Sequence, residues 1–408
     1  MVFSSAVISI GNELLLGRTL NSNLAWLGKN LADLGIPVHY SETIPDAPEA
    51  IIEALDYCWK RYDVVITTGG LGPTQDDLTR ESIAKCFAAP LRYDEEIWLH
   101  ICRMFAHRNT PIPESNRCQA MVPNGFRVLK NDRGTAPGLH FSDSGKQFFA
   151  LQGVPLEMRY IFNTHIRGIL KQSYKEAQSL TVLNIHTYGI GESALAEKID
   201  SAMIPAGVSL AWLPQTGRVD LRLYGEDSQA VAKAGSYVEH LAKEYIWGYD
   251  EDEPARYLLN LMKNKALTLS VAESCTGGLV QRYLTDVPGA SATLMGGVVS
   301  YANSVKVKAL GVPQYVLEKH GAVSEECARA MALGVQKLCE SDVSIAVTGI
   351  AGPDGGSPDK PVGTVYYAFR IIDREFTVHK IFNGDRESIR HKAAEAAILE
   401  LARCLGEI

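Results

Sequence analysis

The 408-residue sequence has no apolar run approaching the ~20 residues that a membrane-crossing helix needs. Its first residues, MVFSSAVISIG, carry no basic segment and pass directly into a strand pattern, unlike a secretory leader. Both absences predict a cytoplasmic protein with no membrane partner. Basic charge is also short. The 40 Lys and Arg stand against 47 Asp and Glu, a net charge of −7 with a pI near 5.9. A general nucleic-acid binder would present a basic face, so no nucleic-acid partner is expected. A small anionic substrate stays open, because a few local arginines suffice to hold one. The eight cysteines (Cys58, Cys86, Cys102, Cys118, Cys275, Cys327, Cys339 and Cys404) contain no CxxC pair, which argues against a zinc ribbon and a disulfide framework. The ten histidines form no HExxH, and no GxGxxG or Walker A sequence marks the glycine-rich turns.

What is present is length enough for two or three domains, with 46% hydrophobic and 21% charged residues, the balance of a globular protein. Ala6 to Ile10 reads as a strand. Leu24, Leu27 and Leu31 then fall on one face of a helix ending at Gly35, with Asn21, Ser22 and Asn23 as caps. Val64 to Thr68 is a second buried strand, followed by a glycine-rich turn and an acidic helix start, GGLGPTQDDLT. Such a turn exposes several backbone N–H groups, which makes Gly69, Gly70, Gly72 and Thr74 candidates to hold a phosphate. Asp76 and Asp77 are expected to open the next helix, where they either complement its dipole or bind a divalent cation against a pyrophosphate. The alternation predicts an α/β fold, a three-layer αβα sandwich with a mostly parallel sheet over residues 1–170. The turn would then lie at the C-terminal ends of the strands, where such sheets bind ligands.

Residues 176–248 read as a small α+β unit. It comprises a strand Leu180 to His186, a helix capped near Glu192, strands Val208 to Leu213 and Arg218 to Tyr224 around a Pro214–Gly217 turn, and a helix Ser228 to Tyr245. YDEDEP, Tyr249 to Pro254, is a polar hinge. The last domain, residues 253–408, opens its chemistry with a strand-like run, Leu267 to Val271, then AESCTGG, then Leu279, Val280 and Leu284 at helical spacing. Ser274 would thus lie at a helix N-terminus, where unpaired N–H groups and the dipole stabilise an oxyanion. Gly277 and Gly278 would let a substrate approach the backbone. A serine needs a base. No histidine is near, but Lys306 follows the apolar run Gly297 to Tyr301. A Ser–Lys pair works if the lysine is kept neutral. Position alone does not decide between Ser274 and Cys275 as nucleophile.

Further on, Ser324 caps a helix reaching Ser341, with Ala328, Met331, Val335 and Leu338 as its buried stripe. Val343 to Thr348 is a buried strand ending in a second glycine-rich loop, Gly349 to Gly356. Val362 to Arg370 and Phe376 to Phe382 form a hairpin before a helix from Arg386. An arginine at a helix start opposes the dipole. Arg386 therefore either pairs with Asp385 or Glu387 or holds an anion such as phosphate.

AESCTGG, GGVVSYANSVK, VTGIAGPDGGSPDKPVGTVY and FNGDRESIR, in this order, resemble the C-terminal domain of the CinA (competence/damage-inducible protein A) family. That domain is similar to bacterial nicotinamide mononucleotide deamidases. The resemblance implies hydrolysis of nicotinamide mononucleotide to the nicotinate form, with Ser274 attacking in preference to Cys275, Lys306 as base, and Tyr301 and Thr348 orienting the pair. Gly349, Gly352 and Arg386 would hold the mononucleotide phosphate, and no cofactor is implied. GGLGPTQDDLT, GTAPGLHF and LQGVPLEM resemble the MogA/MoaB-like domain in the form CinA proteins carry. This implies that ADP-ribose is bound, or hydrolysed with a divalent metal cation at Asp76 and Asp77. Asn12 stands where the family often has Asp, and Gln152 where it usually has Pro, which weakens the metal set. Residues 176–248 match the family's KH-like insert. GIGES does not supply the GxxG loop of RNA-binding KH modules, so the insert reads as structural, an oligomer contact in a homodimer. Two other classes remain: a nucleotide-binding regulatory protein without turnover, and a competence partner with salt-sensitive DNA affinity.

Overall fold

The runs AVISI and VVITT are apolar on both faces, as central strands of a parallel sheet must be. In the computed structural model they pair in parallel as Ser5–Ile10 and Val64–Thr68. The structure describes residues 3–107, 109–215 and 217–406, and the chain divides into two units, up to Leu180 and from Thr181 onward.

The first unit is built on a six-stranded sheet in the order Val38–Ile44, Ser5–Ile10, Val64–Thr68, Lys146–Leu151, Gly138–Asp143, Arg127–Leu129. The first four strands are parallel and the last two antiparallel. Helices Pro48–Arg61, Thr79–Cys86 and Glu95–His107 cover one face through Ile51, Leu55, Ile83 and Ile97. Helices Ser22–Ala32 and Pro155–Ile161 cover the other through Leu27, Leu31 and Met158. Asn21 is the cap of the first of these, its side chain accepting from Leu24 N. One expectation fails here. Asp76 and Asp77 do not open a helix, which begins only at Thr79. Asp77 Oδ2 turns back instead to accept from Thr74 N at 2.8 Å, so the helix dipole does not explain the pair.

The second unit contains two sheets. Val208–Gln215, Arg218–Gly225, Thr181–Thr187 and Ile246–Tyr249 form an antiparallel sheet, backed by helices Glu192–Lys198 and Ser228–Ala242. Arg218 Nε forms an ion pair with Glu395 at 2.5 Å and the Tyr188 hydroxyl donates to Glu400 at 3.0 Å. These contacts tie that sheet to the C-terminal helix, so the segment after Tyr249 is not a free hinge.

The other sheet runs Leu294–Val299, Leu269–Glu273, Val343–Gly349, Thr364–Ile371, Arg374–Ile381, the first three parallel and the last two antiparallel. Ala272, Ala346 and Ala368 lie in one row across it. These small side chains let helix Glu325–Cys339 pack closely on that face through Ala328, Met331 and Val335. Leu338, expected in its buried stripe, is 56% exposed. The alternate residues Val271, Ile345, Val347 and Tyr367 point the other way, into a core with Pro254–Asn264, Leu279–Thr285 and Arg386–Gly406.

Candidate active site

Strand alternation decides which side chain becomes reactive. Ala272 faces the helix Glu325–Cys339 and Ser274 keeps that direction, whereas Val271 and Cys275 belong to the opposite core. Ser274 Oγ therefore meets Lys306 Nζ, 3.0 Å away, on the helix Asn303–Leu310. Cys275 is buried, and burial pushes its thiol up to about 12. At neutral pH such a thiol supplies almost no thiolate, and the thiolate is the reactive form.

Lys306 is 1% exposed, and no ion pair among the described residues engages it. Burial holds its ammonium below the ordinary lysine range, because desolvation disfavours the charged form. Its other contacts are two carbonyls, Ser300 O at 2.7 Å and Tyr301 O at 3.3 Å. A neutral amine has two N–H groups and one lone pair. Both N–H groups have acceptors here, which leaves the lone pair for the Ser274 hydroxyl proton.

The helix N-terminus is used differently from the expectation. Glu273, fully buried at the end of its strand, accepts from Gly278 N at 2.8 Å, Val280 N at 3.2 Å and Gln281 N at 2.9 Å. Gly277 N donates to Ser274 O at 3.1 Å. The N–H groups of Gly277 and Gly278 are thus committed and cannot hold an oxyanion. Their glycine identity serves the turn, with φ of 61° and 98°, the left-handed region that side chains disfavour. Among the described residues the amides of Cys275 and Thr276, directly after Ser274, have no oxygen acceptor. Arg390, from the C-terminal helix, donates to Thr276 O at 2.9 Å and braces the turn.

The other expected residues line the same cavity of 240 Å³ but act differently. The Thr348 hydroxyl donates to Ala322 O at 2.7 Å, not to Ser274 or Lys306. Tyr301 orients Lys306 through its carbonyl, while its hydroxyl, on a side chain 60% exposed, accepts from Arg386 Nη2 at 2.8 Å. Arg386 also donates to Gly352 O at 2.5 Å and pairs with neither Asp385 nor Glu387. Gly349 lines the cavity, and Gly352, held by Arg386, stands at its edge. Among the described residues lining the cavity, Lys306 and Arg386 are the only Lys, Arg, His, Asp or Glu side chains, and both are basic. Sequence reasoning missed Glu273, Arg390 and Asn303, which also lines the cavity. A carboxylate five residues before Gly278 was the available sign of the first; Arg390 lay unweighed in FNGDRESIR.

In the first unit, Gly69, Gly70, Gly72, Asp76 and Asp77 line a cleft of 390 Å³, with Thr74 beside them held to Asp77. A Cβ on Gly69 would meet Ile10 O at 2.2 Å, and one on Gly70 would meet the Thr79 hydroxyl at 2.1 Å, so the close turn requires glycine. Among the described residues five carboxylates line this cleft, Glu13, Asp46, Asp76, Asp77 and Glu157, and no Lys, Arg or His does. Gln152 donates to Ala136 O at 2.6 Å, and Asn12 N donates to Asp46 at 2.9 Å. Among the described residues no three His, Cys, Asp or Glu stand together as a ready metal cluster.

Comparison with known proteins accounts for nearly the whole chain. Residues 251–405 match the model described as the CinA C-terminal domain, 6–172 that of a probable molybdopterin binding domain, and 184–248 that of the damage-inducible protein CinA KH domain. The chain is 40% identical over 410 residues to a CinA-like protein of Gemmatimonas aurantiaca, covering 98% of this chain and 96% of that one. It is 39% identical over 406 residues to a CinA-like protein of Kosmotoga olearia, covering 98% of each. The solved competence/damage inducible protein CihA of Agrobacterium tumefaciens is 37% identical, covering 38% of this chain and 93% of that one at a TM-score of 0.36.

Proposed function

The chain belongs to the CinA family, and from that premise we propose that its C-terminal domain is an amidohydrolase converting nicotinamide mononucleotide to nicotinate mononucleotide and ammonia. The observation that carries the reading is the buried Lys306 amine 3.0 Å from Ser274 Oγ, with no carboxylate paired to it. Ser274 Oγ attacks the amide carbon and its proton passes to Lys306 Nζ. The oxyanion forms against the N–H groups of Cys275 and Thr276. Collapse breaks the C–N bond, Lys306 returns the proton to the leaving nitrogen, and ammonia departs from an acyl ester on Ser274. Water, deprotonated by Lys306, attacks that ester, and collapse restores the serine and frees the carboxylate. Arg386 supports the phosphate role through its place at a cavity mouth that carries no acid. The test is ammonia release from nicotinamide mononucleotide. Ser274→Ala should lower it by at least about 10³-fold while the fold persists. A variant retaining near wild-type release would overturn the assignment.

A separate observation favours a second activity. The close turn Gly69–Thr74 lines a cleft whose charged groups are all acidic, and two of its amides are already taken, Gly69 N by Leu151 O at 3.0 Å and Thr74 N by Asp77 at 2.8 Å. A bare pyrophosphate would be repelled there unless a cation came with it. The donors are hard carboxylate oxygens, and no three of them stand together among the described residues, which suits a cation held by one or two carboxylates, water and substrate phosphates. Asp76 and Asp77 would hold such a divalent cation, which when bound supplies charge neutralisation and an activated water. On this reading the first unit cleaves the pyrophosphate of ADP-ribose. Binding without turnover is its rival, separated by assaying product formation with added magnesium or manganese.

A further inference from the structure

The C-terminal helix Arg386–Gly406 serves two neighbours at once. Its first turns belong to the Ser274–Lys306 site. Arg386 stands at the cavity mouth, and Arg390 donates to Thr276 O at 2.9 Å. A Cβ on Gly277 would stand 3.3 Å from the Arg390 guanidinium, so that group lies directly against the turn after Ser274. Holding the Thr276 carbonyl restricts rotation of the turn. It thereby restricts the direction of the Cys275 and Thr276 amides, the proposed oxyanion donors.

Apolar packing alone fixes this helix weakly along its axis. Residues 393–397 read AAEAA, and all four alanines are buried. Alanines let neighbours approach closely but form shallow ridges, which resist sliding less than interlocked large side chains do. Polar ties therefore matter more here. From the core, the Tyr367 hydroxyl donates to Ala393 O at 3.1 Å. Further ties come from the small antiparallel sheet.

The carboxylate within AAEAA, Glu395, pairs with Arg218 Nε at 2.5 Å, and both side chains are largely buried, 21% and 15% exposed. Burial pushes the Glu395 carboxyl up, and the Arg218 charge opposes that shift. Arg218 is itself held by its own sheet. Its Nη1 pairs with Asp220 at 3.2 Å, and its guanidinium lies 5.2 Å from the centre of the Trp247 ring. His186 Nδ1 lies 3.1 Å from Asp220, and its ring stacks on the same Trp247. Beside Arg218, a Cβ on Gly217 would stand 3.6 Å from the Lys392 side chain. Farther along the helix, Glu400 accepts from the Tyr188 hydroxyl at 3.0 Å. Glu395 follows Arg390 by five residues, about 7.5 Å along the axis. A displacement at one is therefore felt at the other.

We infer that the small antiparallel sheet clamps the Ser274–Lys306 site, with Arg218 and Glu395 as positioning residues. Their ion pair sets the place of the C-terminal helix, and the helix holds the turn after Ser274 through Arg390. The inference rests on the amidohydrolase reading of that site. Arg386 is held separately, by Gly352 O and the Tyr301 hydroxyl, so the clamp acts on the chemical step more than on substrate binding.

The test uses the full chain and two readouts. One is ammonia release from nicotinamide mononucleotide; the other, which needs no substrate, is the rate at which an alkyl fluorophosphonate modifies Ser274. Arg218→Met and Glu395→Gln should each lower kcat about tenfold, part of the ~10²-fold that loss of an oxyanion donor costs. KM should change by less than about threefold, and modification of Ser274 should slow by about the same factor as kcat. Arg218→Lys keeps the charge and should stay within about threefold of wild type. Arg222→Met removes an arginine of the same strand that donates to Asn184 at 2.8 Å, and it should change neither rate. If either folded variant keeps wild-type rates, the pair does not position the turn and the inference fails. It fails equally if Arg218→Lys is no better than Arg218→Met, or if Arg222→Met loses as much. If wild type releases no ammonia yet its Ser274 is modified, the nucleotide reading is wrong and the modification rates decide the clamp. If wild type does neither, the reading and the clamp fall together. Should one variant not fold, judged by its melting curve, the other decides.

Discussion

Gly69–Thr74 follows the strand Val64–Thr68, and Ser274–Gly278 follows Leu269–Glu273; each strand has a parallel neighbour on both sides. The backbone device is therefore the same in the two units, a glycine-rich turn at the C-terminal end of a central strand. The side chains around it are opposite in charge. The second turn carries a nucleophile beside a buried lysine, has Arg386 at its mouth, and uses its one carboxylate, Glu273, to occupy the helix amides. The first is ringed by five carboxylates, and among the described residues no Lys, Arg or His lines it. On the proposed reading one site works with its own basic side chains, and the other imports a cation. The two turns share a place in the fold, and the proposed difference in metal need lies in the residues at their rims.

The sharpest test of this contrast is Lys306→Arg. Arginine keeps the charge but does not deprotonate in a protein, so ammonia release should fall by about 10³-fold or more while substrate still binds. In wild type the rate should rise with pH through the depressed lysine pKa. The stability sign follows from the same shift. Between the lowered folded pKa and the ordinary value near ~10.4, the unfolded chain binds more protons, so stability rises with pH across that window. The contribution is complete above the unfolded value and is lost as pH falls through the folded one. Lys306→Met should remove that slope, measured as melting temperature against pH. A pH-independent rate in wild type, or turnover by Lys306→Arg, would dissolve the distinction between the two sites.

Chelation comes next in size. Pyrophosphate cleavage should drop by about 10²-fold or more without divalent cation, and Asp77→Asn should behave alike with cation present. Ammonia release should not change. Parallel loss of both activities on chelation would show that the second site also imports its charge.

How much of this was legible beforehand depended on the kind of interaction. Val64–Thr68 was readable to the residue because a strand buried on both faces is a continuous apolar run. The edge strand Val38–Ile44 was missed, since VHYSETI is half exposed and carries no such run. Ser274 and Lys306 were readable as a pair from motifs, but their meeting depends on parity along the strand, which also sends Cys275 into the core. The assignment of amides was not readable at all. Which N–H groups Glu273 takes is settled by its rotamer and burial, and that moved the oxyanion role off Gly277 and Gly278. Thr348 and Tyr301, expected to orient the Ser274–Lys306 pair, line the cavity, yet their hydroxyls go to Ala322 and Arg386, contacts made by distant segments.

Arg386→Ala tests the anion side of the comparison. Charge-assisted hydrogen bonds contribute ~1.5–3 kcal/mol each, so KM for nicotinamide mononucleotide should rise by roughly 10- to 100-fold, with a smaller change in kcat. Nicotinamide without the ribose phosphate should show no such difference between variant and wild type. If it did, Arg386 would act through Tyr301 and Gly352 on the shape of the site, not on phosphate.

The smallest effect is expected at Cys275. Its thiol, pushed to about 12 by burial, is almost wholly protonated at neutral pH and points into the core of Val271, Val347 and Tyr367. Cys275→Ala should cost stability, on the order of 1 kcal/mol for the lost volume, and leave ammonia release within about threefold. Thiol-alkylating reagents should likewise spare the reaction in the folded enzyme, because a buried thiol offers neither access nor thiolate. The backbone N–H of the same residue is a separate matter, since it survives the substitution and keeps its proposed place against the oxyanion. Cys275→Ala and Ser274→Ala therefore separate two neighbours that differ only in which side of the strand they follow. If Cys275→Ala lost as much turnover as Ser274→Ala at an unchanged melting temperature, strand parity would not be what selects the nucleophile.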